Sequence, residues 1–291
     1  MKIATAPGTW GIEPPPQPTD PPWQRILNEI AAAGFDGSEL GPYGYYPTDP
    51  ARLKAAFAQR SLELPAGFVM ERLAATNREA LLEIARCTCA SVARAGGRTI
   101  VLIDGLDPQR VATAGRSDAA ARIEEPGWQR LLGGVEAVRA LAQEWDLALA
   151  FHPHAGTFVE FEDEIERLME QVDPSVGLCL DTGHALYAGI DPIALVQRYA
   201  DRLLHVHLKD LDLDALRRCL AAEASFLEAV AAGVFTPLGD GSADLAGVAQ
   251  ALQAIGYDGW ATFEQDRTLA SIEQALSESS ASLSHARAIG F

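Results

Sequence analysis

Three apolar runs in the second half of the chain end in side chains able to bind a metal ion or carry a proton. Leu147-Ala148-Leu149-Ala150-Phe151 hands over to His152-Pro153-His154, and Leu178-Cys179-Leu180 to Asp181-Thr182-Gly183-His184. The third, Leu203-Leu204, leads into His205-Val206-His207-Leu208-Lys209-Asp210, and a later run, Trp260-Ala261-Thr262-Phe263, stops at Glu264. Five of the six histidines fall between positions 152 and 207. Short apolar runs of this kind suit buried strands, so four strand ends are expected to converge on one cation. A divalent ion held by Asp181, His207, Glu264 and His152 would meet two carboxylates and two neutral imidazoles, with positions left for substrate oxygens. Mixed nitrogen and oxygen donors favour Mn or Co, with Zn and Fe next and Mg least suited. A histidine in a strand is often only a hydrogen-bonded core residue, a reading that stays open for His205. Four such groups left unpaired at one rim would be costly to desolvate.

Side chains alternate along a strand, so His205 and His207 share one side while Val206 faces the other. His152 and His154 form a second same-side pair if the strand continues through Pro153. The elements that must position them repeat as strand and helix. Strands are predicted over 2–6, 37–40, 62–69, 99–103, 147–151, 176–180, 203–207 and 260–263, and helices over 23–34, 50–60, 77–95, 126–144, 162–172 and 191–200. Eight strands with intervening helices predict an α/β fold, a single (β/α)8 TIM barrel over residues 1–291, with its site at the carboxyl ends of the strands. A doubly wound open sheet would need a Gly-rich phosphate loop after the first strand, and none is present. The stretches Ala33-Gly34-Phe35-Asp36-Gly37 and Ile255-Gly256-Tyr257-Asp258-Gly259 read as two equivalent helix-to-strand junctions. Two segments exceed simple connectors. Residues 104–125 lack sustained periodicity and read as a long loop on the catalytic side, and 211–233 reads as an inserted helix after strand seven.

At 291 residues and 48% hydrophobic, the chain can bury one large core. The formal charge of −17 repels phosphate backbones, so no nucleic-acid partner is expected. No run approaches the roughly 18 apolar residues of a membrane span, and the opening Met1-Lys2-Ile3-Ala4-Thr5-Ala6 is too short for a signal-peptide apolar region. A cytoplasmic protein is the expectation, with a homo-oligomer allowed. Of the four cysteines, Cys87 and Cys89 lie in a helical pattern and Cys179 inside a predicted strand, unlike a disulfide framework.

Asp181-Thr182-Gly183-His184, His207-Leu208-Lys209-Asp210 and the terminal-strand Glu264 resemble the xylose-isomerase-like barrel superfamily of sugar isomerases, epimerases and related apurinic endonucleases. Longer stretches resemble its inosose dehydratase branch. They are Trp10-Gly11-Ile12-Glu13, Glu39-Leu40-Gly41-Pro42-Tyr43-Gly44-Tyr45, His152-Pro153-His154-Ala155-Gly156-Thr157, Ser225-Phe226-Leu227-Glu228-Ala229-Val230 and Gly233-Val234-Phe235-Thr236-Pro237-Leu238-Gly239-Asp240-Gly241. The resemblance implies a metal-dependent dehydratase of a cyclic polyol ketone, 2-keto-myo-inositol, acting in inositol catabolism. It implies Asp181, His207 and Glu264 as ligands. The fourth is His152, where the superfamily usually has Glu, or else the later Glu160.

Dehydration beside a ketone needs an α-proton removed, charge stabilised on the ketone oxygen, and a departing hydroxyl protonated. His154 and His184 suit the proton transfers. Lys209 suits an oxyanion, its alternative being a salt bridge to Asp210. Trp10, Glu13, Glu39 and Tyr43 follow early strands and are expected, with Glu160, to line a pocket for a small cyclic polyol or sugar. The rival readings are a ketose epimerase or isomerase, a dehydratase of another cyclic ketone such as 3-dehydroshikimate, a DNA phosphodiesterase, disfavoured by charge, and a non-catalytic carbohydrate-binding protein.

Overall fold

The computed structural model describes residues 1–267 and 272–291. Its barrel strands are β1 (Lys2–Thr5), β2 (Gly37–Ser38), β3 (Ala66–Glu71), β4 (Thr99–Asp104), β5 (Ala148–His152), β6 (Gly177–Asp181) and β7 (Leu203–Leu208). A two-stranded antiparallel ribbon, β8 (Asp210–Leu211) and β9 (Phe235–Thr236), follows, and β10 (Trp260–Phe263) completes the barrel. Eight strands run parallel in the order β2-β1-β10-β7-β6-β5-β4-β3. Ser38 N donates to Glu63 O at 3.0 Å and Leu40 N to Ala66 O at 3.0 Å, joining the two ends of that order and closing the barrel.

The helices form where caps and glycines set their limits. Asp49, Asn77 and Asp191 each accept a backbone N–H at the start of Pro50–Ala58, Arg78–Ala95 and Pro192–Arg198. Gly34, at φ 93°, ends Trp23–Ala33 in the left-handed conformation that only glycine adopts cheaply.

Beyond the helices Thr182–Tyr187, Leu245–Ala254 and Ile272–Ala288, which lie outside the predicted ranges, three segments differ from the sequence expectation. Residues 62–65 touch the barrel through the isolated Gly37–Glu63 bridge, and β3 starts only at Ala66, because Pro65 has no N–H to give a ladder. The loop 104–125 contains a short helix, Pro108–Thr113, capped by Asp107. The insertion carries two helices, Leu213–Ala221 and Phe226–Ala231, divided at Glu223 (φ 55°) and restarted by the Ser225–Glu228 capping box.

Burial follows the alternation. Leu149, Phe151, Leu178, Leu180, Val206 and Leu208 face the helices in the main core, whereas Val101, Ile103, Ala150 and Cys179 fill the barrel interior. A bulge sets the phase of β7: Leu178 pairs with Leu203 but Cys179 with His205, so Leu204 is an extra residue. The shift turns Leu203 out and both His205 and His207 in. A third cluster, including Tyr187, Phe226 and Phe235, joins the loop 104–125 and the insertion into one apolar lobe over β5, β6 and β7. Among the described residues no helix is long and apolar enough to cross a membrane.

Gly177 faces the bulge, and a Cβ there would lie 2.3 Å from Leu204 Cγ and 2.6 Å from Arg202 O. Gly177→Ala is expected to cost about 1–3 kcal/mol through overpacking, read as a fall of several degrees in the thermal midpoint; an unchanged midpoint would show that the bulge has slack.

Candidate active site

The end of β6 does four jobs in four residues. Asp181 caps the helix Thr182–Tyr187: its Oδ1 accepts from Gly183 N and His184 N, each at 2.9 Å, which leaves Oδ2 free to face the barrel mouth. Thr182 Oγ1 donates to Lys209 O at 2.6 Å and accepts from Lys209 N at 2.9 Å, clamping the end of β7 to β6. Gly183 is needed because a Cβ would come within 2.5 Å of Lys209 Cβ. His184 then projects beside the Lys209 side chain, Nε2 to Nζ 3.0 Å.

Asp181, His207 and Glu264 offer donor atoms all within 4.8 Å of one another. His207 Nδ1 is 3.2 Å from Glu264 Oε2 and 3.8 Å from Asp181 Oδ2, and His152 Nε2 is 3.3 Å from Asp181 Oδ2. His207 Nε2 stands 3.1 Å from Glu39 Oε1, which also accepts from His205 Nε2 at 2.7 Å. A carboxylate behind the imidazole fixes the Nε2–H tautomer and turns the Nδ1 lone pair toward the other donors. Nδ1 is buried without a hydrogen-bond partner. A buried orphan nitrogen facing two carboxylates fits a divalent cation, and the two carboxylates with two imidazoles are the donor chemistry of Mn, Co, Fe or Zn.

Lys209 Nζ lies 2.9 Å from Asp266 Oδ1, 3.3 Å from Glu264 Oε2 and 3.4 Å from Asp181 Oδ2. Burial alone would raise these carboxyls, but the Lys209 charge and the neighbouring imidazoles hold Asp181, Glu264 and Asp266 below their ordinary range. Lys209 is driven the other way: burial opposes its charge, and Asp181, Asp266 and Glu264 outweigh burial and raise its pKa. His154 donates from Nδ1 to Ala155 O at 2.8 Å, leaving Nε2 as an acceptor. Burial, then the charges of His184 and Lys209, depress its pKa and keep it neutral. Glu13 sits exposed at the rim, yet close packing and the carboxylates of Asp266 and Glu264 raise it to about 7.

The cavity at the mouth is lined by Glu13, Phe68, Met70, His152, His154, His207, Lys209, Glu264, Gln265 and Asp266, with Asp181 and His184 just behind. It gathers the expected ligands and proton carriers, and Glu13. Four expected pocket residues lie elsewhere. Trp10 is core, its Nε1 donating outward to Glu29 at 2.9 Å, because the 3-10 turn Pro7–Trp10 rotates it off the mouth. Tyr43 follows a turn through Gly41 (φ 65°) and reaches Cys87 on the helix Arg78–Ala95. Glu39 lies beneath the mouth, supporting His205 and His207. Glu160 faces the backbone N–H groups of Gly115 (2.7 Å) and Gly156 (3.0 Å) and the Arg110 guanidinium (3.4 Å), tying down the loop 104–125. The suggested Lys209–Asp210 salt bridge does not form, since Asp210 turns away to accept from Gly239, Gly241 and Ala243. Sequence reasoning missed Asp266. Continued alternation from Thr262 through Glu264 would have marked it.

Burial lowers the His152 pKa from 6.5 to about 4. The unfolded chain therefore takes up a proton between pH 6.5 and about 4 that folded His152 refuses. Stability of the chelator-treated protein should fall across that window, by up to roughly 1.4 kcal/mol per pH unit from this residue. Urea unfolding at a series of pH values should show the slope reduced in His152→Gln; an identical slope would remove His152 as its source.

The profile of a family described as xylose isomerase-like TIM barrel matches residues 27–285. The rhizopine catabolism protein MocC of Rhizobium meliloti is 34% identical over 275 residues, covering 92% of this chain and 82% of that protein. An inosose dehydratase of Geobacillus kaustophilus (strain HTA426) is 34% identical over 280 residues, covering 92% of this chain and 88% of that protein. The crystal structure of the IOLI protein with a bound zinc atom superposes with a TM-score of 0.74 at 15% identity, over 100% of this chain and 99% of that one. With its closed parallel barrel, its site at the strand ends and a profile match over residues 27–285, the chain belongs to the xylose isomerase-like TIM barrel family.

Proposed function

We propose that this chain is a metal-dependent hydro-lyase that removes water from a cyclic polyol ketone, 2-keto-myo-inositol, in inositol catabolism. One observation carries the reading: in a chain 34% identical to an inosose dehydratase over 92% of its length, carboxylate and imidazole donors from four strand ends meet beside a buried lysine. Asp181, His207, Glu264 and His152 would hold the cation, for which Mn or Co suits the donor set best. When bound, it supplies Lewis-acid polarisation of the ketone, worth several kcal/mol of stabilised negative charge.

The side chains around it account for the rest. His154, neutral and with Nε2 unprotonated, accepts the α-proton. Lys209 places a fixed positive charge where negative charge grows on the substrate oxygen. The departing hydroxyl takes a proton from the Glu13 carboxyl and leaves as water, while His184, whose Nε2 accepts from Lys209, holds the ammonium in place. Phe235 packs edge-on to His184 and Phe226 packs tilted against it, at ring-centroid distances of 5.6 and 5.9 Å, and they shield that side from solvent. A lower local dielectric strengthens each of these interactions.

Incubation with 2-keto-myo-inositol should give a product lighter by one water. Activity should vanish on chelation with the fold intact and return with Mn or Co. A product of unchanged mass would point to epimerisation or isomerisation, and full turnover by the metal-free folded protein would sink the metal reading. Glu39→Gln, which weakens the support behind His207, is expected to reduce metal affinity roughly 10–100-fold; calorimetric titration giving the unmodified affinity would refute that role.

A further inference from the structure

The Lys209 ammonium occupies a seat built like the one beside it. Nζ is 2.9 Å from Asp266 Oδ1 and 3.0 Å from His184 Nε2, and the His154 ring lies 3.7 Å from that of His184. Donor atoms of His154, His184 and Asp266 lie within 4.8 Å of one another, the same spread as those of Asp181, His207 and Glu264. Two imidazoles and a carboxylate form a ligand set for Zn or Co, and the cation proposed above does not use them. Lys209, 2% exposed, sets its ammonium against His184 and Asp266 of this set and also faces Glu264 and Asp181 across the shared wall.

We propose that Lys209 is the built-in second cation of this centre, and that His154, His184 and Asp266 form a latent metal site which its ammonium keeps closed. A metal ion brought among these donors would share their space with Nζ and be repelled by its charge. The side chain cannot easily leave, because Thr182 holds both backbone groups of Lys209 and Gly183 packs against its Cβ. The consequence is chemical as well as structural. A second positive charge stands beside the substrate oxygen at a fixed stoichiometry, whatever the metal supply, and the centre stays mononuclear.

The test counts metal. Unmodified protein, Lys209→Ala and Lys209→Ala/Asp266→Asn are saturated with Zn or Co, freed of loosely held ions by gel filtration, and assayed for metal per chain, with circular dichroism confirming the fold. Lys209→Ala should carry one equivalent more than the unmodified protein, and the double variant should lose it again. Lys209→Gln, which keeps a neutral side chain in the buried position, should show the same gain and serves where the alanine variant does not fold. Folded variants that hold no more metal than the unmodified protein would overturn the proposal. Because it rests on the cation reading of the neighbouring donors, the two are scored apart: the metal content of the unmodified protein tests that reading, and the difference between variant and unmodified protein tests this one.

Discussion

Asp181 and Glu264 hold ligand atoms within 4.8 Å of each other in a site that water barely reaches. At an effective dielectric constant of about 20, like charges this close repel by about 3 kcal/mol or more. Lys209 Nζ attracts both carboxylates, at 3.4 Å from Asp181 Oδ2 and 3.3 Å from Glu264 Oε2, and two attractions at these distances outweigh the one repulsion. Remove that ammonium and the carboxylates would need protons or another cation to stay buried. The rest of the site is arranged around this balance.

The balance in turn depends on backbone. Asp181 spends one oxygen on the helix it caps and keeps the other for the mouth, which orients it without a further side chain. Thr182 ties the backbone of Lys209 to β6, and Gly183 lets the two strand ends approach. The motif Asp-Thr-Gly-His is therefore a joint as much as a set of functional groups. On β7 the bulge at Leu204 does the matching work, since without it His205 and His207 would share the outward side of Leu203. Beneath the mouth, Glu39 links His205 and His207, so the residue after β2 supports two from β7 across the barrel.

Much of the fold was legible in the residues. Eight strand positions were found within a few residues, because parallel strands covered by helices are apolar throughout and are bounded by caps, glycines and prolines. Where the reading slipped, a local reason explains it. Pro65 interrupts a run that is apolar enough to be strand, and the Ser225–Glu228 capping box restarts a helix inside what looked like one segment. In the candidate site, Asp181, His207, Glu264, His152, His154, His184 and Lys209 stand out in the sequence because chemical groups at strand ends have few structural reasons to be there, and the fold brings them to one mouth. Trp10, Tyr43, Glu39 and Glu160 follow strands too, yet a residue in a loop has no fixed face, and each turned toward a partner that only packing supplied.

By itself the sequence determined the order of strands and helices, their amphipathic faces and the identity of the groups placed at each strand's end, since period, caps and composition are local properties. Only the tertiary structure decided which of those groups meet. Closure of the barrel, the bulge in β7 and the turns after β1 and β2 set distances between residues far apart in the chain. Those distances, rather than residue type, bring Asp266 to Lys209, carry Glu39 beneath His207 and send Trp10 to the helices.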